Sequence, residues 1–404
     1  MRNVQYLILG AGPSGLTIAH SLLKQGVARD QVLVLEANGT AGGLCRSETV
    51  DGSPLDIGGG HFLDVRRKEV LDFVFEFMPG DEWDTYARVA KIRLRGQEID
   101  HPLEGNLWQF SKADQVEYLD SIARTGSVAG DPMPESFEEW VRWKLGDRIA
   151  DEYMLPYNRK IWSMDLDRLG TYWLYKLPDV SFRDTLRSCL EGRPFGALPA
   201  HGTFLYPKKF GYGEVWRRMG EALGECLLTS TPVASIDVEQ RIVNGAFQAE
   251  TIISTIPWTL WPRVAEVPDD VAVRIGELVS IPIDVDYFPE NTSGDAHWIY
   301  EPREEISYHR ILPRHNFCPG SRGYWTETNA ARSGAVVHFR HRNEFAYPVN
   351  TRSKPAAVET ILSWAKAKGI VGAGRWGTWE HMNSDIAVAE ALKLASNLLA
   401  QRVS

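Results

Sequence analysis

The chain has 404 residues, of which 44% are hydrophobic and 24% are charged, and its formal net charge is −9 at pH 7. This length suits two or three domains with a large core, and the negative charge argues against nucleic acid or an anionic membrane as a partner. Because a strand begins almost at Met1 and no apolar run reaches the ~20 residues of a membrane span, we expect neither a signal peptide nor membrane insertion. The four cysteines form no C-x-x-C pair, which favours reduced thiols in a cytoplasmic protein.

The N-terminal segment has the parts of a dinucleotide-binding βαβ unit. Residues 6–9 form a short apolar strand, and residues 16–24 have apolar positions at helical spacing. Between them lies a G-x-G-x-x-G motif, whose glycines permit a tight turn and a close approach to a pyrophosphate. Glu36 ends the second predicted strand, where a carboxylate accepts hydrogen bonds from an adenosine ribose. The predicted cofactor-binding residues of this unit are Gly10, Gly12, Pro13, Ser14, Gly15 and Glu36.

Two further glycine-rich stretches indicate which dinucleotide is bound. Residues 41–47 read AGGLCRS and residues 56–61 read DIGGGH. A second glycine pair just past the ribose carboxylate is similar to flavoproteins of the amine-oxidase type, and a nicotinamide dehydrogenase would not need it. The glycines at 58–60 form either a plain turn or a backbone that lies flat against an isoalloxazine ring, where a Cβ would collide. These stretches favour FAD and add the candidates Gly42, Gly43, Leu44, Arg46, Gly59 and Gly60.

The rest of the chain alternates helical and strand patterns. Helices are predicted at 69–77, 115–125 and 137–153, a hairpin at 232–238 and 242–247, and a buried strand at 251–255 that Pro257 stops. Residues 275–345 are typical of an antiparallel sheet, and residues 369–371 and about 384–400 return to a strand and a helix. We therefore expect an α/β protein with three parts: a discontinuous Rossmann-like FAD-binding domain at 1–65, 200–265 and 350–404, a mainly helical domain at 66–199, and an antiparallel β-sheet substrate domain at 266–349.

A last glycine-rich turn precedes the C-terminal helix. Arg375 stands there beside small residues and ahead of a helix N-terminus, which suits a pyrophosphate or the pyrimidine edge of a flavin. The alternative is a helix cap with a surface arginine. Four residues complete the predicted cofactor site: Val233, Gly374, Arg375 and Ser384.

Six motifs, in family order, resemble the UDP-galactopyranose mutase family over most of the chain. They are LDIGGGH at 55–61, PYNRKIW at 156–162, YPKKFGYGEVW at 206–216, YHRILPRHNF at 308–317, YPVN at 347–350 and GRWGTW at 374–379. Some of these motifs are closer to the eukaryotic branch of that family and others to the bacterial branch.

The resemblance implies an isomerase of cell-surface glycan biosynthesis that interconverts pyranose and furanose rings, as in the conversion of UDP-galactopyranose to UDP-galactofuranose. Its FAD must be reduced, and the flavin N5 attacks the anomeric carbon to form an N5–sugar adduct while the diphosphate leaves. The implied partners are a nucleotide-sugar substrate, NAD(P)H or another reductant, and a second copy in a homodimer.

The resemblance also implies roles for individual residues. His61 would sit beside the flavin and Arg310 would bind the diphosphate as the catalytic pair, and Tyr308, two residues before Arg310 on a presumed strand, is expected to share its face. The alternative for His61 is a buried histidine that hydrogen-bonds to backbone groups, and the alternative for Arg310 is a surface salt bridge. Tyr157, Asn158, Trp162 and Tyr347 resemble residues near the substrate, although aromatic side chains in such a chain also serve as core.

Several positions depart from the family pattern. In the stretch at 176–182, Ser181 replaces a phosphate-binding arginine, and Arg183 and Arg187 are the candidates to take its role. His381 stands in place of a phosphate-binding tyrosine and Asn383 in place of an aspartate. In the base-binding stretch at 101–106, Leu103 loses an aromatic ring and Glu104 replaces an amide. A carboxylate would repel uracil carbonyls and could accept hydrogen bonds from the N–H groups of guanine. We therefore hypothesise that the nucleotide or the sugar differs from the UDP-galactose of the family.

Two other functional classes remain open from the sequence. The first is an FAD-dependent oxidase or desaturase of the amine-oxidase superfamily, which would consume oxygen. The second is a non-catalytic flavin-binding scaffold, which Ser181 and His381 make plausible. No C-x-x-C pair or other metal signature suggests a metal site.

Overall fold

Two large sheets organise the α/β fold, as a computed structural model covering residues 1–176, 179–196, 202–335 and 338–403 describes it. Leu177 and Pro178 of the departing stretch lie outside these residues, as does the domain boundary expected at 199–200. The strands of the two sheets, in chain order, are Arg2–Leu9, Val32–Leu35, Ala90–Leu94, Gln97–Asp100, Leu227–Leu228, Ile236–Asp237, Ile242–Val243, Phe247–Ser254, Ser280–Phe288, Trp298–Tyr300, Arg310–Leu312, Tyr324–Asn329, Phe339–Pro348 and Ile370–Gly372. Smaller sheets join Ser47–Val50 to Ser53–Asp56, and Thr203–Pro207 to Leu63–Asp64 and Trp83–Ala87.

Helices cover the sheets and fill the space between them. The longer helices are Pro13–Lys24, Lys68–Phe75, Lys112–Ala123, Phe137–Ile149, Leu155–Trp162, Phe182–Glu191, Gly213–Leu223, Asp269–Gly276, Lys354–Ala367 and Ser384–Val403. A π-helical turn, Ala150–Met154, connects two of them, after a break at Gly146, whose φ is 78°.

The first sheet is the nucleotide-binding layer. Arg2–Leu9 lies at its centre, parallel to Val32–Leu35 on one side and to Phe247–Ser254 on the other, and Ile370–Gly372 pairs with Phe247–Ser254 in parallel. Because side chains alternate along a strand, Tyr6 and Ile8 pack under one helical layer while Leu7 and Leu9 pack under the other. The carboxyl ends of these parallel strands therefore form one edge, at which α/β proteins bind their ligands.

The second sheet is almost entirely antiparallel. Its strand order starts at Phe339–Pro348 and runs through Ser280–Phe288, Tyr324–Asn329, Arg310–Leu312 and Trp298–Tyr300 to the hairpin at 90–100. The contact between Trp298–Tyr300 and Ala90–Leu94 is parallel. The face that carries Trp298, Arg310 and Glu327 looks toward the core and is called the inner face below, whereas Lys91 and Asp284 lie on the outer face.

The secondary structure confirms most of the sequence predictions, with bounds shifted by a few residues. The three predicted helices are Lys68–Phe75, Lys112–Ala123 and Phe137–Ile149, and the last predicted strand is Ile370–Gly372. The hairpin at 90–100, inside the range expected to be helical, was missed although its apolar and charged residues alternate. Among the described residues, we find no helix that combines the length and apolarity needed to cross a membrane.

Candidate active site

A cavity of about 600 Å³ opens at the carboxyl-end edge of the first sheet. The predicted cofactor-binding residues that line it are Gly10, Gly12, Pro13, Ser14, Glu36, Gly43, Leu44, Arg46, Val233, Gly374, Arg375 and Ser384. Two other predicted site residues, His61 and Asn383, also line it. Gly15, Gly42, Gly59 and Gly60 lie outside its lining and pack closely against neighbouring backbone or side chains instead.

The first glycine turn is shaped for close backbone packing. Gly10 has φ 102°, and a Cβ on Gly15 would lie 2.0 Å from the Gly10 carbonyl oxygen. Pro13 begins the first helix, and Gly12 at its N-cap offers no side chain to bond the free N–H groups. Those N–H groups are therefore left to point at an anionic ligand.

Glu36 directly follows the second strand, Val32–Leu35, and is 6% exposed. Its Oε2 accepts a hydrogen bond from the Ala11 backbone N–H at 2.8 Å, and its Oε1 accepts one from the Asn38 backbone N–H at 2.8 Å. Oε1 also accepts the Asn38 side-chain amide at 2.7 Å. Because each carboxylate oxygen has about two lone-pair positions, Oε2 is the oxygen that retains capacity for a ribose hydroxyl group.

The second glycine pair lies directly against the first turn. The Gly42 N–H donates to the Ala11 carbonyl oxygen at 2.8 Å, and a Cβ on Gly43 would lie 3.1 Å from the Gly12 Cα. Arg46 follows this pair, and its buried Nε has no hydrogen-bond partner among the described residues. An unsatisfied guanidinium N–H on the wall of the cavity fits a pyrophosphate oxygen.

The C-terminal turn closes the cavity from the other side. Gly374 has φ 67°, and a Cβ there would lie 2.4 Å from the Ser14 Oγ. The Arg375 guanidinium donates to the Ala346 and Met382 carbonyl oxygens at 2.7 and 2.8 Å, and burial lowers its pKa. Both glycine turns, Glu36 and the unsatisfied Arg46 thus form a cradle that suits a flavin dinucleotide.

The loop at 58–61 connects this cradle to the second sheet. A Cβ on Gly58 would lie 1.7 Å from the Leu44 carbonyl oxygen, so no other residue fits there. His61 lies beside the cavity with its Nε2 3.2 Å from the Gly58 carbonyl oxygen. Burial and the positive charge of Arg375 lower the pKa of His61 to about 4, so its imidazole is neutral at pH 7.

Arg310 belongs to a buried hydrogen-bonded cluster on the inner face. Its Nε donates to Glu327 at 3.1 Å, and its Nη2 donates to Glu327 and, at 3.0 Å, to the Tyr347 hydroxyl. Glu327 is 1% exposed and also accepts the Gly60 N–H at 2.9 Å. Burial alone would raise the pKa of the Glu327 carboxyl, but Arg310 and His309 bring it below its ordinary value. The cluster therefore holds a fixed guanidinium beside the glycine loop.

The expectation that Tyr308 shares the face of Arg310 is wrong. The strand begins only at Arg310, and Tyr308 packs with Ile299 and Ile311, whose side chains lie on the outer face. The chain turns between Tyr308 and Arg310, so the strand alternation on which the expectation rested does not reach Tyr308.

Helix Leu155–Trp162 brings three predicted substrate residues to the second sheet. Tyr157 is 9% exposed and packs edge-on against Tyr300, with ring centroids 5.5 Å apart. The Asn158 side chain donates to the Met154 carbonyl oxygen at 2.8 Å and accepts the Trp162 indole N–H at 3.0 Å. The Asn158 amide and the Trp162 indole are thus bonded inside the helix, whereas the Tyr157 ring faces the inner face of the sheet.

The predicted base-binding stretch lies in the same region. Leu103 is fully buried, whereas Glu104 is partly buried. Burial raises the pKa of the Glu104 carboxyl to about 7. The neighbouring His101 ring is 5.0 Å from that of Tyr300, which places this stretch next to Tyr157.

Tyr347 joins the Arg310 cluster to the C-terminal turn. Its ring is 5.1 Å from that of His381 and 5.7 Å from the Arg375 guanidinium carbon. Asn383, two residues after His381, lines the cavity. The structure therefore brings His61, Arg310, Tyr347 and His381 to one side of the cradle.

Some lining residues were not found from the sequence, namely residues 231–232, 255–257 and 341–345. Residues 255–257 directly follow a buried parallel strand, so the rule that ligands bind at strand carboxyl ends could have found them. Residues 341–345 belong to the edge strand of the second sheet, and Glu327 comes from a different strand again. No local signal marks either of them.

Comparison with known proteins agrees with this geometry. A family model described as an NAD(P)-binding Rossmann-like domain matches residues 8–77. A probable UDP-galactopyranose mutase of Klebsiella pneumoniae is 24% identical over 99% of this chain and 96% of its own length. A dTDP-fucopyranose mutase of Escherichia coli is 25% identical over 43% of this chain and 45% of its own.

The fold agrees with a solved structure over the same extent. The crystal structure of reduced UDP-galactopyranose mutase superposes with a TM-score of 0.88 at 22% identity, covering 99% of this chain and 95% of that one. The nucleotide cradle and these matches establish FAD as the cofactor. Along almost the whole chain, this protein is therefore similar in sequence and fold to UDP-galactopyranose mutases.

Proposed function

We propose that the protein is a flavin-dependent isomerase that interconverts the pyranose and furanose forms of a nucleotide-diphosphate sugar. The observation that carries this proposal is the fixed Arg310 guanidinium, which is buried beside the glycine loop and His61. The names of two relatives mention UDP-galactopyranose and dTDP-fucopyranose, and both are hexose nucleotides. The conversion of UDP-galactopyranose to UDP-galactofuranose is therefore the first reaction to test.

The cofactor supplies the nucleophile in this proposal. Reduced FAD would present its electron-rich N5 to the anomeric carbon, so that the sugar isomerises without net oxidation. NAD(P)H is the proposed source of the electrons. The uncharged His61 imidazole, held toward the Gly58 carbonyl oxygen, would border the flavin without adding a positive charge.

Arg310 would hold the diphosphate while it is detached from the sugar. Its Nε and Nη2 are directed at Glu327 and Tyr347, whereas its Nη1 makes no hydrogen bond to the described residues. An arginine does not lose its proton at any physiological pH and presents several N–H donors to phosphate oxygens. Glu327 and Tyr347 would thus fix the orientation and leave one nitrogen for the leaving group.

The aromatic residues around this point would exclude water. Tyr157 covers Tyr300 from helix Leu155–Trp162, and Tyr300 is opposite Arg310 in the neighbouring strand. A dry site strengthens the attraction between the guanidinium and the diphosphate and protects reactive sugar species from hydrolysis.

The test uses purified protein loaded with FAD, reduced with dithionite and kept anaerobic. It is incubated separately with UDP-galactose, dTDP-fucose, other UDP-sugars and GDP-sugars, and the products are separated by ion-pair chromatography. A furanose product that appears only with reduced flavin would support the proposal. Oxygen consumption coupled to substrate oxidation, with no ring isomer formed from any sugar, would overturn it in favour of an oxidase.

A further inference from the structure

The family resemblance expects a second phosphate-binding arginine at position 181, where this chain has Ser181. The Ser181 Oγ accepts the Asp184 N–H at 3.1 Å and thereby caps helix Phe182–Glu191. Arg187 on that helix pairs with Glu191 at 2.6 Å. The Ser181 oxygen and the Arg187 guanidinium therefore bond within their own helix, which makes another arginine near Arg310 a candidate for the second diphosphate contact.

Arg88 lies on the same side of the second sheet as Arg310. It precedes the strand Ala90–Leu94, and its guanidinium contacts Trp298 and Tyr300, whose side chains lie on the inner face. On the next strand, Tyr300 is opposite Arg310. The inner face thus carries Arg88, Tyr300 and Arg310 in neighbouring positions.

The contacts of Arg88 hold its guanidinium on this face. Its guanidinium carbon lies 4.6 Å from the centroid of the Trp298 ring, and its Nη2 donates to the Tyr300 hydroxyl oxygen at 2.7 Å. Because the Tyr300 oxygen accepts this bond, the Tyr300 proton is free to be donated to another acceptor. Arg88 and Arg310 therefore flank a phenol whose proton is available.

Arg88 and Tyr300 lie between the glycine loop at 58–61, where the sugar is expected, and the base-binding stretch at 101–106. On one side, a Cβ on Gly60 would lie 3.3 Å from the Trp298 indole nitrogen, so Trp298 borders the glycine loop. On the other side, the His101 ring is 5.0 Å from the Tyr300 ring, which leads to Glu104 in the base-binding stretch. A nucleotide sugar with its sugar at the loop and its base near Glu104 would place its diphosphate beside Tyr300.

We propose that Arg88, together with the Tyr300 hydroxyl that it orients, forms the second diphosphate-binding group and takes the role that Ser181 cannot fill. This inference rests on the proposed function, since it assumes a nucleotide-diphosphate substrate. Two guanidinium groups on opposite sides of one phenol would neutralise the two negative charges of the diphosphate and give it a hydrogen-bond donor between them.

The experiment measures binding of UDP, dTDP and GDP, and of the corresponding nucleosides, to the FAD-loaded protein by calorimetry. The variants are Arg88→Ala, Arg88→Lys and Tyr300→Phe. Arg93→Ala is the matched control, because Arg93 lies on the outer face of the strand that follows Arg88, Ala90–Leu94, and pairs with Glu98. Retention of FAD, read from its absorbance, checks that each variant is folded.

We expect Arg88→Ala to weaken diphosphate binding at least tenfold and to leave nucleoside binding unchanged. Arg88→Lys should lie between wild type and Arg88→Ala, because a lysine keeps the charge but loses the planar fork. Tyr300→Phe should weaken the diphosphates severalfold, and Arg93→Ala should bind like wild type. If Arg88→Ala loses FAD, the Arg88→Lys and Tyr300→Phe variants decide the result.

Two other outcomes would overturn the inference. Wild-type diphosphate affinity in folded Arg88 variants would show that Arg88 is not part of the site and would leave the proposed function intact. If the same variants slowed flavin reduction by NADPH while binding diphosphates normally, the group would serve the reductant's pyrophosphate instead. Failure of the wild-type protein to bind any nucleoside diphosphate would count against the proposed function itself.

Discussion

At the scale of single residues, Glu327 joins three parts of the candidate active site. It pairs with Arg310 across neighbouring strands, accepts the Gly60 N–H, and lies 3.7 Å from the His309 imidazole. Because Glu327 is almost completely buried, the Arg310 guanidinium depends on its negative charge and the Gly60 N–H depends on its oxygen as an acceptor. A change at this position therefore affects the glycine loop and the guanidinium together.

The first prediction concerns the charge of Glu327. Glu327→Gln keeps an acceptor for the Gly60 N–H but leaves the buried Arg310 without its carboxylate, so we expect a loss of about 3 kcal/mol in the free energy of unfolding. Urea denaturation of the FAD-loaded proteins measures this loss. Glu98→Gln, which breaks the more exposed pair with Arg93, is the control and should cost less than about 1 kcal/mol. Equal losses in the two variants would show that the Glu327 pair is energetically ordinary.

The second prediction concerns Glu104 and the nucleobase. With its pKa raised to about 7, the Glu104 carboxyl gains its charge as the pH rises through neutrality. If it contacts the base, GDP should bind more tightly at pH 8 than at pH 6, because the carboxylate accepts the guanine N–H groups, while UDP should bind less tightly. Glu104→Gln should abolish both trends. Parallel pH dependence of GDP and UDP in the wild-type protein would place Glu104 away from the base.

At the scale of the secondary-structure elements, the glycine-rich loops at 41–47 and 58–61 pack directly against each other. The glycine-rich stretch at 41–47 and the loop at 58–61 meet where Gly58 packs against the Leu44 carbonyl oxygen. The inner face of the second sheet then meets the same loop through Glu327. Helix Phe182–Glu191 has a different role, since Ser181 caps it and does not face this cluster through any described contact.

The third prediction separates capping from phosphate binding at Ser181. Ser181→Ala removes the side-chain oxygen that accepts the Asp184 N–H, which should cost about 1 kcal/mol of stability. Ser181→Asn, which keeps a good N-cap, should retain most of that stability. Calorimetry should give unchanged diphosphate affinity for both. A clear loss of diphosphate affinity in Ser181→Ala would return phosphate binding to this helix.

How far the sequence predicts the elements depends on whether the information is local. The turn at Gly10, the carboxylate of Glu36 beside that turn and the final turn at Gly374 could be predicted, because each needs a special backbone or a motif of fixed spacing. The partnership of Arg310 with Glu327 could not, because it depends on which strands become neighbours. Tyr308 was misplaced for the same reason, since the start of a strand is set by its pairing rather than by its own residues.

At the scale of the whole molecule, buried neutral histidines link stability to pH. Burial and Arg88 lower the pKa of His101 to about 3, and burial and Arg375 lower that of His61 to about 4. The unfolded chain takes up these protons near pH 6.5, well before the folded protein does. The stability that these neutral side chains contribute is therefore complete above about pH 6.5 and is lost progressively as the pH falls toward their folded pKa values.

The fourth prediction follows for His101. Between pH 6.5 and 4.5 the free energy of unfolding of the wild-type protein should fall by roughly 2 kcal/mol more than that of His101→Gln, which has no proton to take up. Chemical denaturation of the FAD-loaded proteins at several pH values measures the difference. Identical pH profiles would mean that His101 has the same proton affinity in the folded and unfolded states.

The order in which the strands occur along the chain has a consequence for synthesis. The second sheet needs the strand pair Ala90–Leu94 and Trp298–Tyr300, whose members are far apart in sequence, and the first sheet adds Ile370–Gly372 near the end. Arg375 and Ser384, which line the cavity, come later still. A nascent chain therefore cannot complete the flavin cradle until residue 384 has left the ribosome, and such long-range pairing is slow. Flavin capture should then be a post-translational step, and truncated chains that end before residue 374 should emerge without the cofactor.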